Sequence, residues 1–127
     1  MSDKSIVIIG ASSNRAKFGN KAVRAFTDAG FTVYAVHPKE TEVEGLKVYR
    51  SVADLPETPD YASLYLPPKV GEAVLDDIAA KGIKQVFANP GAESPELLEK
   101  GKKLGLEVMA ACSIVAAGKT PMDYPDQ

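Results

Sequence analysis

The chain has 127 residues and a mass of 13.5 kDa, with 45% hydrophobic and 25% charged residues, a size and composition that predict one globular domain spanning 1–127. A formal net charge of −2 argues against a general nucleic-acid surface, and a single cysteine (Cys112) beside a single histidine (His37) excludes an internal disulfide and a structural zinc site. The longest apolar runs fall far short of the roughly 18 residues of a membrane span and no signal-peptide core opens the chain, so a soluble, cytoplasmic protein is expected.

Ile6 to Ile9 is a β-branched run, apolar on both faces, which is the pattern of a central parallel strand covered on two sides; Gly10 ends it. After the loop from Ala11 to Phe18, residues Ala22, Val23, Phe26 and Ala29 recur at spacings of three and four and mark an amphipathic helix that stops at Gly30. Phe31 to Val36 reads as the second strand. Turn formers and charges dominate residues 37 to 60, where Val48-Tyr49 fits a short strand and Ser51 to Leu55 a single helical turn. Tyr61 to Leu66 is a strand closed by Pro67-Pro68, and the helix after it carries Val70, Ala73, Val74 and Ile78 on one face. Ile83 to Ala88 is the next strand. Ser94 as N-cap, Pro95 at the first helical position and Glu96 and Glu99 near the positive end of the dipole then start another helix, and Leu106 to Ala111 is the last strand.

Each of three helix-to-strand junctions carries a glycine, at positions 30, 82 and 105, where a left-handed residue turns the chain back toward a sheet. About five strands alternating with about four helices predict an α/β fold, a Rossmann-type doubly wound parallel sheet with helices on both faces. Its ligand crevice then lies at the carboxyl ends of the strands.

Those ends read Gly10-Ala11-Ser12-Ser13-Asn14-Arg15, His37-Pro38-Lys39, Pro67-Pro68-Lys69, Asn89-Pro90-Gly91 and Cys112-Ser113, a rim rich in donors and bases and poor in acids. Such a rim suits a phosphorylated ligand. Residues 4 to 27 carry Lys4, Arg15, Lys17, Lys21 and Arg24 with no acid, while the remainder holds ten bases and seventeen acids, which points to a localised anion site. The strict dinucleotide fingerprint is absent, since the glycine after Gly10 comes only at position 19, and the P-loop spacing is absent too. Where an NAD enzyme carries an acid at the end of the second strand, this chain has Val36-His37-Pro38-Lys39. A base there favours a ligand with an extra ribose phosphate, as in NADP and coenzyme A. Glu40, one residue on, is expected to face solvent. His37 has no paired nucleophile or acid and is expected to border the site, while Tyr34 and Tyr65 are expected to serve packing.

The run Ile6-Val7-Ile8-Ile9-Gly10-Ala11-Ser12-Ser13-Asn14, the segment Val36-His37-Pro38-Lys39, the stretch Tyr49-Arg50-Ser51 with Asp54-Leu55-Pro56, and the strand end Leu66-Pro67-Pro68 resemble the stand-alone CoA-binding domain proteins. They are also similar to the N-terminal CoA-binding domain of the succinyl-CoA synthetase alpha subunit, over roughly residues 5 to 118. The resemblance implies that the loop opening at Gly10 holds the CoA phosphates through Ser12, Ser13, Asn14 and Arg15, and that Lys39 binds an adenosine-side phosphate. It further implies that Ala88, Asn89 and Pro90 line the nucleotide crevice and that Pro67 and Pro68 flank it as apolar walls. Cys112, among alanines and valines, is expected to be a small buried hydrophobe, with a thiol beside the CoA arm as the other reading. The function implied is binding of coenzyme A or an acyl-CoA, with no complete catalytic apparatus and no metal. The ligand is a small molecule rather than nucleic acid or membrane, and a second copy or an enzyme subunit stands open as protein partner. An NADP-dependent reductase or dinucleotide sensor is the alternative, and an interaction domain that has lost the site is a third reading.

Overall fold

In the computed structural model, which describes residues 4–127, β1 (Ser5–Ile9) is the middle of a seven-stranded sheet. Across the sheet the order is β3 (Glu42–Val43), β4 (Leu46–Tyr49), β2 (Thr32–Val36), β1, β5 (Tyr61–Leu64), β6 (Gln85–Ala88) and β7 (Glu107–Ala110). All neighbours are parallel except β3 and β4. β1 pairs with β2 on one side, Ile6 beside Val33, and with β5 on the other, Ile6 beside Tyr61. The chain therefore leaves β1 in both directions, and the strand order reverses at that point.

The apolar run of β1 serves two cores. Val7 and Ile9 pack with Leu75 and Ile78 of α2 (Pro68–Lys81) and Leu97 of α3 (Pro95–Lys103). Ile6 and Ile8 pack on the opposite face with Ala22, Val23 and Phe26 of α1 (Phe18–Asp28) and Ile114 of the short α4 (Ser113–Ala116). The alternation of side chains along a strand explains why a run with no polar residue is needed here. Ser94 caps α3 as its sequence predicts, its hydroxyl accepting from Leu97 N–H at 3.0 Å, and Gly30, Gly82 and Gly105 all have positive φ. No helix among the described residues is long and apolar enough to cross a membrane.

Two expectations are corrected. The sheet has seven strands rather than about five, because residues 42–49 form an antiparallel hairpin on its edge, turning at Glu44 (φ 49°) and Gly45 (φ 80°). Two consecutive positive φ values make the tight turn that such a hairpin needs, and glutamate in the first of them hides the signal that asparagine or aspartate would give. The expected buried face of α2 is met only in part: Ile78 is buried and Val74 half-buried against the core as expected, but Val70 and Ala73 are exposed and Gly71 and Leu75 are buried instead. A Cβ at Gly71 would come within 2.9 Å of Leu97, so the glycine seats α2 against α3 and fixes the inward face.

Glycines also bring α1 onto β1. Gly10 (φ 95°) has no space for a side chain, since a Cβ would lie 2.5 Å from the Tyr65 carbonyl oxygen, and a Cβ on Gly19 would lie 2.3 Å from the Gly10 carbonyl oxygen. Backbone atoms cannot yield as a flexible side chain can, so Gly19→Ala is expected to cost about 1–3 kcal/mol in urea unfolding by overpacking. An unchanged unfolding midpoint would show that the helix can lift off β1 without penalty.

Candidate functional site

A cleft of about 670 Å³ opens at the carboxyl ends of β1, β2, β5, β6 and β7, centred where the strand order reverses between β1 and β5. Gly10, Ser12, Pro67, Pro68, Asn89 and Pro90 line it, as the sequence predicts of site residues, together with Lys17, Phe18, His37, Leu66 and Cys112. One wall is apolar, built from Leu64, Leu66, Pro67, Pro68 and Ala92, and the opposite wall is the first loop with the amino end of α1. Ser13, Asn14, Arg15 and Lys39 are exposed outside the lining, and Ala88 is fully buried within β6, one residue beneath the floor.

The first loop is held in shape by its own side chains. Asn14 N–H donates to Ser12 Oγ at 3.1 Å, Ala16 N–H to Asn14 Oδ1 at 3.0 Å, and Lys17 N–H to the Asn14 carbonyl at 3.0 Å. Behind it lies fully buried Asn20, whose amide donates to the Ser12 carbonyl at 2.9 Å and to Glu44 at 3.0 Å while its oxygen accepts from Arg24 at 2.8 Å. Glu40 does not face solvent as expected. Its carboxylate accepts from Ser13 N–H at 2.6 Å and from Ser13 Oγ at 3.0 Å, and these bonds hold the carboxyl below the usual carboxylate range.

The five cations of residues 4 to 27 do not act as one patch. Arg15 pairs with Glu44 at 3.4 Å and donates to the Gln127 carbonyl, Lys21 pairs with Asp126 at 2.7 Å, and Arg24 donates to the Pro125 carbonyl. Lys4 meets Tyr61 at the other end of the strands. Residues 124–127 thus lie along the basic side of α1. Lys17 is the one cation of this segment that lines the cleft; its ammonium makes no hydrogen bond or close salt bridge among the described residues, though its charge helps hold the Glu40 carboxyl down.

Under the cleft floor is a connected polar cluster. Asn89 donates to Ser63 Oγ and to the Leu64 carbonyl, both at 2.8 Å, and its oxygen accepts from Ser113 N–H at 2.8 Å and Ser113 Oγ at 3.0 Å. Ser113 Oγ also meets Ser63 Oγ at 2.8 Å and the Tyr65 hydroxyl at 3.0 Å. Asn89 therefore ties the ends of β5 and β6 to α4, with its amide already engaged. Tyr65 does more than pack: burial pushes its hydroxyl up to about 12, against hydrogen bonds from Ser113 and Ser63 that favour the ionised form.

His37 Nδ1 accepts the N–H groups of Lys39 at 3.0 Å and Glu40 at 3.1 Å, so its other nitrogen is the one left for the cleft. Cys112 is half-buried past the end of β7 at the start of α4, packed against the core of Ile6 and Ile8 on one side and lining the cleft on the other, so it is a less fully buried hydrophobe than expected. Among the described residues no group of three or more His, Cys, Asp or Glu side chains gathers to hold a metal. An anionic end against Lys17 and an apolar arm along the proline wall is the ligand shape this cleft accommodates.

Sequence reasoning counted Lys17 among five cations without singling it out, and missed Phe18 in the cleft lining and the anchor Asn20. A polar residue on the apolar side of the α1 pattern was the available sign for Asn20. Lys17 carried none beyond its charge, since its direction depends on which neighbouring cations are neutralised by Glu44 and residues 125–127.

A family model described as CoA binding domain matches residues 4–118. The alpha subunit of ADP-forming acetate–CoA ligase II from Pyrococcus furiosus is 32% identical over 117 residues, covering 84% of this chain and 26% of that protein. An ADP-forming acetate–CoA ligase from Methanocaldococcus jannaschii is 36% identical over 81 residues, covering 64% of this chain and 12% of that one. The chain therefore spans about a quarter or less of the length of these relatives. Among solved structures, a conserved hypothetical protein from Pyrococcus furiosus superposes with a TM-score of 0.82 at 38% identity, covering 89% of this chain and 98% of its own. A dinucleotide-forming acetyl-coenzyme A synthetase from Ca. Korarchaeum cryptofilum, in complex with phosphate and ADP, gives 0.75 at 28% identity, over 87% and 26%.

The buried Tyr65 hydroxyl has a consequence for alkaline stability. Between pH 10 and 12 the unfolded chain ionises this group while the folded one resists, so stability falls across that window. Tyr65→Phe abolishes the effect and leaves Ser113 its bonds to Ser63 and Asn89. The variant is expected to lose about 1 kcal/mol at pH 7, and on moving to pH 11 to lose about 1 kcal/mol less than the wild type. Urea unfolding at both pH values checks this; equal losses in the two proteins would contradict it.

Proposed function

Because the chain belongs to the CoA-binding domain family, we propose that it binds coenzyme A or an acyl-CoA in the strand-end cleft. The observation that carries this reading is the cleft's division into a cationic loop side and an apolar proline side, which matches a ligand with phosphates at one end and a long uncharged arm at the other. In this reading the phosphates lie against the loop that Gly10, Ser12, Ser13, Asn14 and Arg15 build, with Lys17 as principal cation. Lys39 reaches from the rim toward the ribose phosphate. The pantetheine arm runs past Pro67, Pro68 and Pro90, over the floor at Asn89 with Ala88 beneath it, toward Cys112.

The protein is read as a binding module in the cytoplasm. His37 Nδ1 is committed to its own turn and no catalytic part is assigned to the residue, so an acyl-transfer step would draw its chemistry from a partner, and this chain spans only 12% and 26% of the two ligases above. A partner enzyme or a second copy of the chain is part of the same reading. The NADP-dependent alternative finds no support in the family or in these relatives.

Calorimetry tests the assignment. CoA should bind at one site per chain and more tightly than NADP or NAD; tighter binding of either dinucleotide would contradict it. Lys17→Ala should weaken CoA roughly 10- to 150-fold, the value of a charge-assisted hydrogen bond. Lys39→Ala should weaken CoA but leave dephospho-CoA nearly unaffected, because a real contact to the ribose phosphate appears as a coupling between residue and ligand group. Equal losses with both ligands would remove Lys39 from the site.

A further inference from the structure

Three backbone N–H groups of the first loop are bonded within the loop, whereas the N–H and the hydroxyl of Ser13 both go to Glu40, 27 residues away. A carboxylate with its two oxygens on two converging donors uses them as two oxygens of a phosphate would. The acid is delivered there by a built turn. His37 Nδ1 gathers the N–H groups of Lys39 and Glu40, Pro38 restricts the backbone between them, and Arg50 holds the Pro38 carbonyl at 2.8 Å. Glu40 is one of the few acids near a strand-end rim otherwise made of bases and neutral donors, and its only hydrogen-bonded carboxylate contacts among the described residues are with Ser13.

We propose that Glu40 is an internal competitor for the phosphate-binding loop: its carboxylate occupies the Ser13 donors in the free protein, and an anionic ligand must displace it to use them. The inference rests on the CoA reading for the identity of the ligand, but the competition concerns the phosphate end alone. Two like charges cannot share the Ser13 donors, so the side chain swings out as the ligand enters. Glu40 thereby lowers the affinity for every anion that needs this loop. Ligands held mainly by the apolar wall feel it less.

The test uses the full chain with Glu40→Ala, with Glu40→Gln as a second variant that removes the charge and keeps the size, and with Glu42→Ala as a control. Glu42 is an exposed acid on β3 that makes no contact with Ser13. Calorimetric affinities are measured for CoA and for inorganic pyrophosphate, with circular dichroism to confirm folding; where Glu40→Ala is unfolded, Glu40→Gln decides. Removing Glu40 should tighten both ligands about tenfold or more, while Glu42→Ala stays within about twofold of wild type. Unchanged or weaker pyrophosphate binding on loss of Glu40, or an equal gain in Glu42→Ala, overturns the proposal. Tighter pyrophosphate with no CoA binding in any variant sustains the competitor and defeats the CoA reading. CoA binding equally to wild type and to Glu40→Ala does the reverse.

Discussion

The close approach of Gly10 and Gly19 is the constraint on which the site depends. With a Cβ on Gly19 only 2.3 Å from the Gly10 carbonyl oxygen, and one on Gly10 only 2.5 Å from that of Tyr65, three backbone segments meet without intervening side chains. That contact sets the first turn of α1 against the end of β1 and leaves the loop from Ala11 to Lys17 to arch over the strand end. A dinucleotide-binding loop uses its glycines for the same purposes, a tight turn and close helix-to-strand packing, at shorter spacing. Here the longer arch is stiffened instead by Ser12, Asn14 and buried Asn20.

Polar groups then define the rest of the cleft. Asn89, Ser63, Ser113 and Tyr65 pair with one another beneath the floor, and no buried side-chain nitrogen or oxygen among the described residues is left without a partner. A satisfied buried network of this kind resists rearrangement, because losing one member strands the others. The floor is therefore tied together, while the Ser13 donors of the loop above it are held by the half-buried carboxylate of Glu40. A tied floor below and donors held by a single side chain above suit a site that admits a large, flexible anion.

Much of this was legible in the residues. The Ile6 to Ile9 run, the three helix-to-strand glycines and the Ser94-Pro95 start reflect local rules of period, capping and backbone freedom, so they place the central strands and α1 and α3 without knowledge of the tertiary structure. The edge hairpin was not legible because β3 has two residues and its turn carries Glu44 at positive φ. On α2, Ile78 and Val74 were read correctly but Val70 and Ala73 were not, because glycine has no apolar side chain to register in the pattern, although Gly71 is where α2 meets Leu97. Strand-end position located the cleft, and the strand-end segments contain ten of its lining residues. The direction of each cation was not available, because it depends on pairings such as Lys21 with Asp126 and Arg15 with Glu44, far apart in the chain.

The central claim is that coenzyme A occupies the cleft at the reversal of strand order. An amide proton–nitrogen correlation spectrum of the full chain, titrated with CoA, tests it most directly. The account predicts shifts concentrated at Ser12, Ser13, Lys17, Phe18, Leu66, Gly91 and Cys112, with Asp60, Gly82 and Gln85 at the opposite ends of the strands unmoved. No shifts at saturating CoA, or shifts centred on Asp60, Gly82 and Gln85, would contradict it.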